Sequence, residues 1–252
     1  MSGRGAVIAV TSLALEARVA LGPGVAVVCK PASQLAGALD AAVKRGAAGI
    51  ISFGIAGGLA PQLRAGHWVV GSAVRTDDGY FPADRRWAAR LLHALPSPVH
   101  AEIAGTAAPA ATSRDKKRLY VRTGAGLVDM ESHIAASVAA AHRIPFAVCR
   151  VVIDSVDRDL PPAAIVDLRP DGRPDLLAIT RSIAREPGQL PALARIALDA
   201  RIAVTALRRG RRLLDAGLAC PYLSLPDMPS SAAALVDGDL RGAVPFAESQ
   251  RA

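Results

Sequence analysis

The chain has 252 residues, 51% hydrophobic but only 4% aromatic, which suits a single α/β domain with a core of small aliphatic side chains. No apolar run approaches the roughly 18 residues of a membrane span. Cys29, Cys149 and Cys220 form no close pair, so the composition argues against a bilayer-crossing chain, a disulfide scaffold and a zinc module, and for reduced thiols. The net charge of +8 is concentrated, because ten arginines stand against four acids between Arg169 and Arg212.

In chain order, residues 6–10 and 25–29 read as strands. The early apolar run is interrupted by Glu16 and Arg18 and lacks a clean cleavage site, so it reads as a first strand and not a signal peptide. Ser33 is placed to cap a helix that runs through Leu35, Leu39 and Val43 to Arg45 and stops at Gly46. Residues 48–53 predict a buried strand and residues 67–74 another. A helix over 84–95, a strand over 99–103 and a short basic helix over 114–121 follow. Next come a small-residue helix from Ser132 to Ala141 and a strand from Phe146 to Ile153. This alternation predicts a single-domain, three-layer α/β/α fold around a central mixed, largely parallel sheet covered on both faces.

Residues 160–174, rich in Pro, Asp and Gly, predict a loop over the site region. Two helices over 175–184 and 190–209 come next. The second has Leu193, Ile196, Ala197, Ala200, Val204 and Leu207 near helical spacing, with Arg on its other faces. Beyond Leu214 the periodicity fades around Pro221, Pro226 and Pro229. The expected organisation is an α/β core over 1–165, a basic helical extension of the same domain over 166–212, and a loosely structured tail over 213–252.

Two acids sit at element edges. Glu131 precedes the Ser132 helix, and Asp154 closes the strand that begins at Phe146. The carboxyl ends of strands are where α/β sheets place ligands. An ionised carboxylate only accepts hydrogen bonds, so it suits a sugar diol. A second acid that carries a proton can supply it to a departing base, and the two together would cleave a glycosidic bond. Helix capping and an ordinary strand end explain the same spacing, so the acids alone leave both readings open. The five histidines, His67, His93, His100, His133 and His142, lack metal-ligand spacing; neither a metal nor a bound cofactor is expected.

Three segments occur in a telling order: Ile51-Ser52-Phe53-Gly54-Ile55-Ala56-Gly57-Gly58-Leu59-Ala60, then Val128-Asp129-Met130-Glu131, then Arg150-Val151-Val152-Ile153-Asp154. Together they resemble the nucleoside phosphorylase and nucleosidase superfamily, with the match running from Ala6 to about Pro162. The resemblance implies that the strand carrying Ser52 leads into a glycine-rich loop, Gly57-Gly58, beneath the ribose and its nucleophile. It implies that Met130 packs on the sugar and that Glu131 binds its 2′ and 3′ hydroxyls. Asp154 becomes the catalytic acid, donating to purine N7 while its other oxygen accepts from a 6-amino group, which favours adenine. Arg150, four residues earlier and on the same side of an ideal strand, either orients Asp154 or the nucleophile or forms an ordinary ion pair.

Both possible acceptors find a residue. In the resemblance, Glu16 stands where methylthioadenosine nucleosidases carry the Glu that activates water, and Arg18 lies in the loop where phosphorylases recruit phosphate. A carboxylate repels a phosphate dianion and an arginine attracts it. The chain departs from both patterns, with Ile51 and Ser52 where hexameric phosphorylases have Arg, and Ile55 where nucleosidases have Ser. Water and inorganic phosphate, the latter as co-substrate, therefore both stay open.

Within the superfamily the chain looks most like the hopanoid-associated phosphorylases, through residues 128–133, 154–163 and 168–175. This implies release of adenine from adenosylhopane, an adenosylated lipid; the alternative substrate is a small nucleoside such as methylthioadenosine or S-adenosylhomocysteine. Each buried methylene adds about 0.8 kcal/mol to membrane retention, so such a lipid calls for a cytoplasmic enzyme that works at the anionic inner membrane face, which the basic helices are suited to touch, or that receives substrate from a partner; packing of those helices on the α/β core is the alternative to membrane contact. A non-enzymatic alternative is a nucleic-acid-binding module. The Arg-rich segment has no aromatic stacking platform, so no nucleic acid is expected. The resemblance also implies a homodimer or larger assembly.

Overall fold

The computed structural model describes residues 5–165, 173 and 175–223. Within them, strands β1 (Val7–Thr11), β2 (Val25–Cys29), β3 (Gly49–Gly58), β4 (Trp68–Arg75), β5 (Tyr80–Pro82), β6 (Val99–Gly105), β7 (Leu127–Asp129) and β8 (Phe146–Asp154) form one mixed sheet. The helices are α1 (Ala14–Ala20), α2 (Ala32–Lys44), α3 (Arg85–Ala94), α4 (Ser113–Thr123), α5 (Ser132–Ala141), α6 (Leu176–Arg185) and α7 (Leu190–Arg211).

Strand alternation builds two apolar layers, as a sheet covered on both faces requires. Val7, Ala9, Ile51 and Phe53 face one layer with Trp68, Trp87 of α3 and Leu207 of α7. Ile8, Val10 and Ile50 face the other, with Leu35 and Leu39 of α2 and Ala135 and Ala139 of α5. The expected three-layer α/β architecture is the one observed.

The sheet also closes on itself. β1 lies parallel to β2 and β3, and β3 runs parallel to β8. The last residues of β3 turn to pair antiparallel with β7, which is parallel to β6, which is parallel to β4. β4 then pairs antiparallel with β8, returning the path to β3. β1 and β2 project from this ring as an open wing, and β5 edges β4.

Several elements differ from the sequence expectation. The glycines at 54, 57 and 58 belong to β3 and not to a loop, because Gly54 pairs with Arg150 and Gly57 and Gly58 pair with Val128 and Leu127. Residues 14–20 form a helix where no element was expected, and the three-residue strands β5 and β7 are too short to show a period. Ser33 is not the cap: α2 begins at Ala32 and its first turn has no side-chain cap. By contrast, Asp84 and Asp175 each cap their helix, accepting from Trp87 N and from Leu177 and Ala178 N. All three cysteines are free thiols.

The expected loose tail is corrected in its first part. Leu214, Leu218 and Cys220 are buried, and Leu218 O accepts the Trp87 indole N–H at 2.9 Å. Consecutive positive φ values at Gly217, Leu218 and Ala219 let this stretch dock without a helical or strand period. Residues 224–252 lie outside the described residues, as do residues 166–172 and 174 of the expected loop. No helix among the described residues is long and apolar enough to cross a membrane.

Gly210 lets α7 approach the ring. A Cβ there would lie 2.2 Å from Trp68 Cζ2 and 3.0 Å from Leu95 Cδ2. Gly210→Ala should therefore cost about 1–3 kcal/mol through overpacking, seen as a lower urea midpoint at unchanged slope; an unchanged midpoint would mean that α7 is not seated as described.

Candidate active site

β8 carries two charged side chains to different tasks. Arg150, fully buried, pairs through Nε with Asp129 at 3.0 Å and through Nη2 with Glu131 at 3.2 Å. Nη2 also donates to Ser52 Oγ at 2.7 Å, and Nη1 donates to Ile55 O at 3.3 Å. Burial pulls the guanidinium down, but Asp129, Glu131 and Glu16 more than restore it, so Arg150 is held above its ordinary value. Of the two roles left open in the sequence, the ion pair is the one found.

Arg150 and Asp154 do not share a partner set, although four residues separate them. The β3–β8 register shifts at its end: Ala56 faces Val152, and the next residue, Gly57, faces Asp154. The extra residue, Ile153, is a bulge, and a bulge re-aims the side chain after it. Asp154 thus turns to α4, where its Oδ2 accepts from Lys116 Nζ. Both side chains are nearly waterless, at 4% and 1% exposure.

Glu131 stands at the N-cap of α5 but does not cap it. Asp129 does, accepting from Ser132 N at 2.9 Å and also from Ser132 Oγ. That frees Glu131, with 13% of its side chain exposed, to face the cavity. Burial, with Asp129 and Glu16 adding to it against Arg150, pushes its carboxyl up to about 7.

A cavity of about 190 Å³ lies where these elements meet, lined by Ser12, Gly57, Lys116, Met130, Glu131 and Asp154 among others. Gly57 forms the floor: a Cβ there would stand 3.2 Å from Val128 Cγ1 and 3.6 Å from Asp154 Oδ1. The lining holds three acids, Asp129, Glu131 and Asp154, against one base, Lys116. Burial raises the Asp154 carboxyl above its ordinary range, and Lys116 partly offsets this. A larger groove of about 780 Å³ runs along α7 past Gly66, Trp68 and Ile202. Those residues offer no pair of acids; the paired acids line the smaller cavity.

The structure thus brings Asp154, Glu131, Met130, Gly57 and Gly58 together. Gly58 packs its Cα against the Asp154 carbonyl side, where a Cβ would come within 2.9 Å of Asp154 O. Ser52 sits behind the wall, bonded to Arg150 and Ser132. Glu16 is buried at the same end of the sheet, but its oxygens accept from Ser12 N at 3.0 Å, Leu13 N at 2.9 Å and Ile55 N at 2.7 Å. It holds the wall in place and does not itself line the cavity. Arg18 is exposed and outside the cavity. Positions two apart on a helix lie about 200° apart, so α1 cannot turn both Glu16 and Arg18 inward. Lys116, Asp129 and Ser132 were missed in the sequence; Lys116 shares a helix face with Leu119 and Tyr120, which is the signal that marks it as inward-facing.

The family model of the phosphorylase superfamily matches residues 21–185. Futalosine hydrolase of Helicobacter pylori is structurally similar, with a TM-score of 0.57 at 12% identity over 82% of this chain and 97% of that one. So is a 5′-methylthioadenosine/S-adenosylhomocysteine nucleosidase from S. pneumoniae solved with a transition-state inhibitor, at 0.58 and 14% identity over 85% and 98%. The Helicobacter pylori nucleosidase of the same name gives 0.56 at 12% identity over 82% and 97%. A search of curated protein sequences returns no match. The chain belongs to the phosphorylase superfamily and is an enzyme of the nucleoside phosphorylase and nucleosidase class.

The raised Glu131 carboxyl has a measurable consequence. Between its ordinary value of 4.5 and about 7 the folded protein binds a proton that the unfolded chain has lost. Stability must fall as pH rises across that window, the sign set by the larger proton count of the folded state. Glu131→Gln should flatten this fall in a pH series of unfolding midpoints; an unchanged slope would show that Glu131 titrates normally.

Proposed function

We propose that the enzyme hydrolyses the N-glycosidic bond of a 5′-substituted adenosine and releases adenine. The observation that carries this reading is that Asp154 and Glu131 face one small cavity floored by Gly57. A base held against Asp154 receives its proton at N7 as the bond to C1′ breaks. Its 6-amino group donates to the other carboxylate oxygen, a pairing an Asp suits. The ribose diol donates to ionised Glu131, and Met130 covers the apolar face of the sugar. Charge builds on C1′ as the base leaves, and the surrounding carboxylates stabilise it.

Water is the better acceptor for this site. A phosphate dianion needs cationic or N–H donors. The single lining cation, Lys116, is already paired with Asp154, Arg150 is committed to Asp129 and Glu131, and Arg18 lies outside. The acids that hold these cations leave no net positive charge in the lining to attract the dianion.

For the 5′ substituent, adenosylhopane is the proposed substrate, on the resemblance of residues 128–133, 154–163 and 168–175 to hopanoid-associated phosphorylases. Two features support a lipid. The cavity, at about 190 Å³, is below the roughly 300 Å³ of typical ligand pockets and too small to enclose a hopane substituent, which would extend outside it. In addition, α6 and α7 expose Leu176, Leu177, Leu190 and Leu198 beside arginines, a composition suited to peripheral contact with an anionic membrane. A small thioether nucleoside is the second reading, supported by the structural similarity to 5′-methylthioadenosine/S-adenosylhomocysteine nucleosidases.

Adenine release from adenosylhopane and from methylthioadenosine, each with and without phosphate and followed by mass analysis of the sugar, tests all parts. The expected result is a phosphate-independent rate, a free sugar hydroxyl and preference for the lipid. A sugar 1-phosphate product would contradict hydrolysis. Asp154→Asn should lower release by about 10²–10⁴-fold; near-native turnover would remove Asp154 from the reaction.

A further inference from the structure

The structure holds Asp154 in the form that cannot act as an acid. Lys116 Nζ donates to Asp154 Oδ2, to Arg158 O at 2.8 Å and to Ser155 O at 3.3 Å. Three acceptors meet the three protons of an ammonium; a neutral amine would fit the same positions only by accepting from a protonated carboxyl, and an amine is by far the stronger base of the two. Lys116 is therefore charged and Asp154 is its carboxylate partner. Both are buried, so each would be strongly disfavoured as a lone charge. Three hydrogen bonds from an inward lysine to one carboxylate and two carbonyls after β8 are more than helix packing requires.

We propose that Lys116 stores the proton that leaves with the base, and that Asp154 carries it from Lys116 to the nucleobase. This rests on the reading of Asp154 as the acid given above. One N–H bond of the Lys116 ammonium breaks, the proton crosses to the Asp154 carboxyl, and from there it forms the N7–H bond. The electron pair of the C1′–N bond goes to the base, which departs neutral. Water adds at C1′ and gives its own proton to solvent, and the neutral amine recovers one from solvent. Substrate plus water thus yields free base and a sugar hydroxyl, with Lys116 and Asp154 restored. Lys116 is a positioning residue, because it acts on the base only through Asp154.

Among the described residues, few groups face this pair. Lys116 comes from α4. Asp199 of α7, itself paired with Arg158 at 3.4 Å, adds a raising influence on Asp154. Asp129 and Glu131 at the start of α5 are held by Arg150. Without Lys116, burial acts on Asp154 with that opposing cation removed, which favours its protonated form.

Two substitutions separate storage from mere support. Lys116→Gln leaves a carboxyl as the only proton source, so its adenine-release rate should fall away from native as pH rises, by at least about tenfold more at about pH 8 than at about pH 6. Lys116→Arg keeps the ion pair, but its proton is not released at accessible pH. It should bind adenine normally yet turn over about 10²-fold or more slowly. A near-native rate in Lys116→Arg, or a uniform loss in Lys116→Gln at every pH, would overturn the proposal. Carboxyl ¹³C NMR of the free enzyme, with the Asp154 signal assigned from Asp154→Asn, reads the pair without turnover. Asp154 should be ionised at neutral pH in the native protein and protonated in Lys116→Gln, and a protonated native Asp154 would sink the store. A native enzyme that released no adenine would instead sink the proposed function, with the NMR result still deciding the charge state.

Discussion

A guanidinium with no access to water must find its countercharges inside the protein, and Arg150 is such a group. Asp129 comes from the end of β7, Glu131 from the start of α5, Ser52 from β3, and Arg150 itself from β8. Removing one partner from a buried pair costs about 3–5 kcal/mol, because the other charge stays behind unpaired. Arg150 therefore fixes where three strands and a helix meet. The position of Glu131 and the burial that raises its carboxyl both follow from that junction.

The closed ring gives the junction its shape. Because β3 bends far enough to pair with β7 as well as β8, the ends of all three strands converge. Glycines at 57 and 58 make this convergence possible, since a Cβ at either would press on Val128 or on the Asp154 backbone. The bulge at Ile153 then divides the work of β8: Arg150 faces inward to hold the walls, and Asp154 faces the cavity. Glu16 completes the construction from α1 by closing three backbone N–H groups of the wall with one carboxylate.

The sheet and the two principal acids were legible in the sequence because each rests on a local pattern. Continuous aliphatic runs marked β1, β3, β4 and β8, Asp154 closed the last of them, and Glu131 stood just ahead of the small-residue helix. What stayed hidden depends on contacts distant in the chain. Lys116 looks like one of several basic residues in Ser113-Arg114-Asp115-Lys116-Lys117-Arg118; locally only the helix face it shares with Leu119 and Tyr120 sets it apart, and its partner lies 38 positions away. Arg18 misled because α1 went unrecognised, and with it the helical turn that points Arg18 to solvent. The stretch 213–223 has no period to read, yet its leucines fill a gap beside Trp87. The bulge in β8 depends on pairing with β3, so strand arithmetic alone placed Arg150 and Asp154 on one side.

The roles of Asp154 and Glu131 depend on where a purine sits. A crystal structure of the protein with adenine is the most direct measurement. The base should lie in the cavity between Gly57 and Met130, with N7 within hydrogen-bond distance of the Asp154 carboxyl and its exocyclic amine on the same side chain. Adenine bound along the α7 groove, or in the cavity with its N7 edge turned away from Asp154, would contradict it.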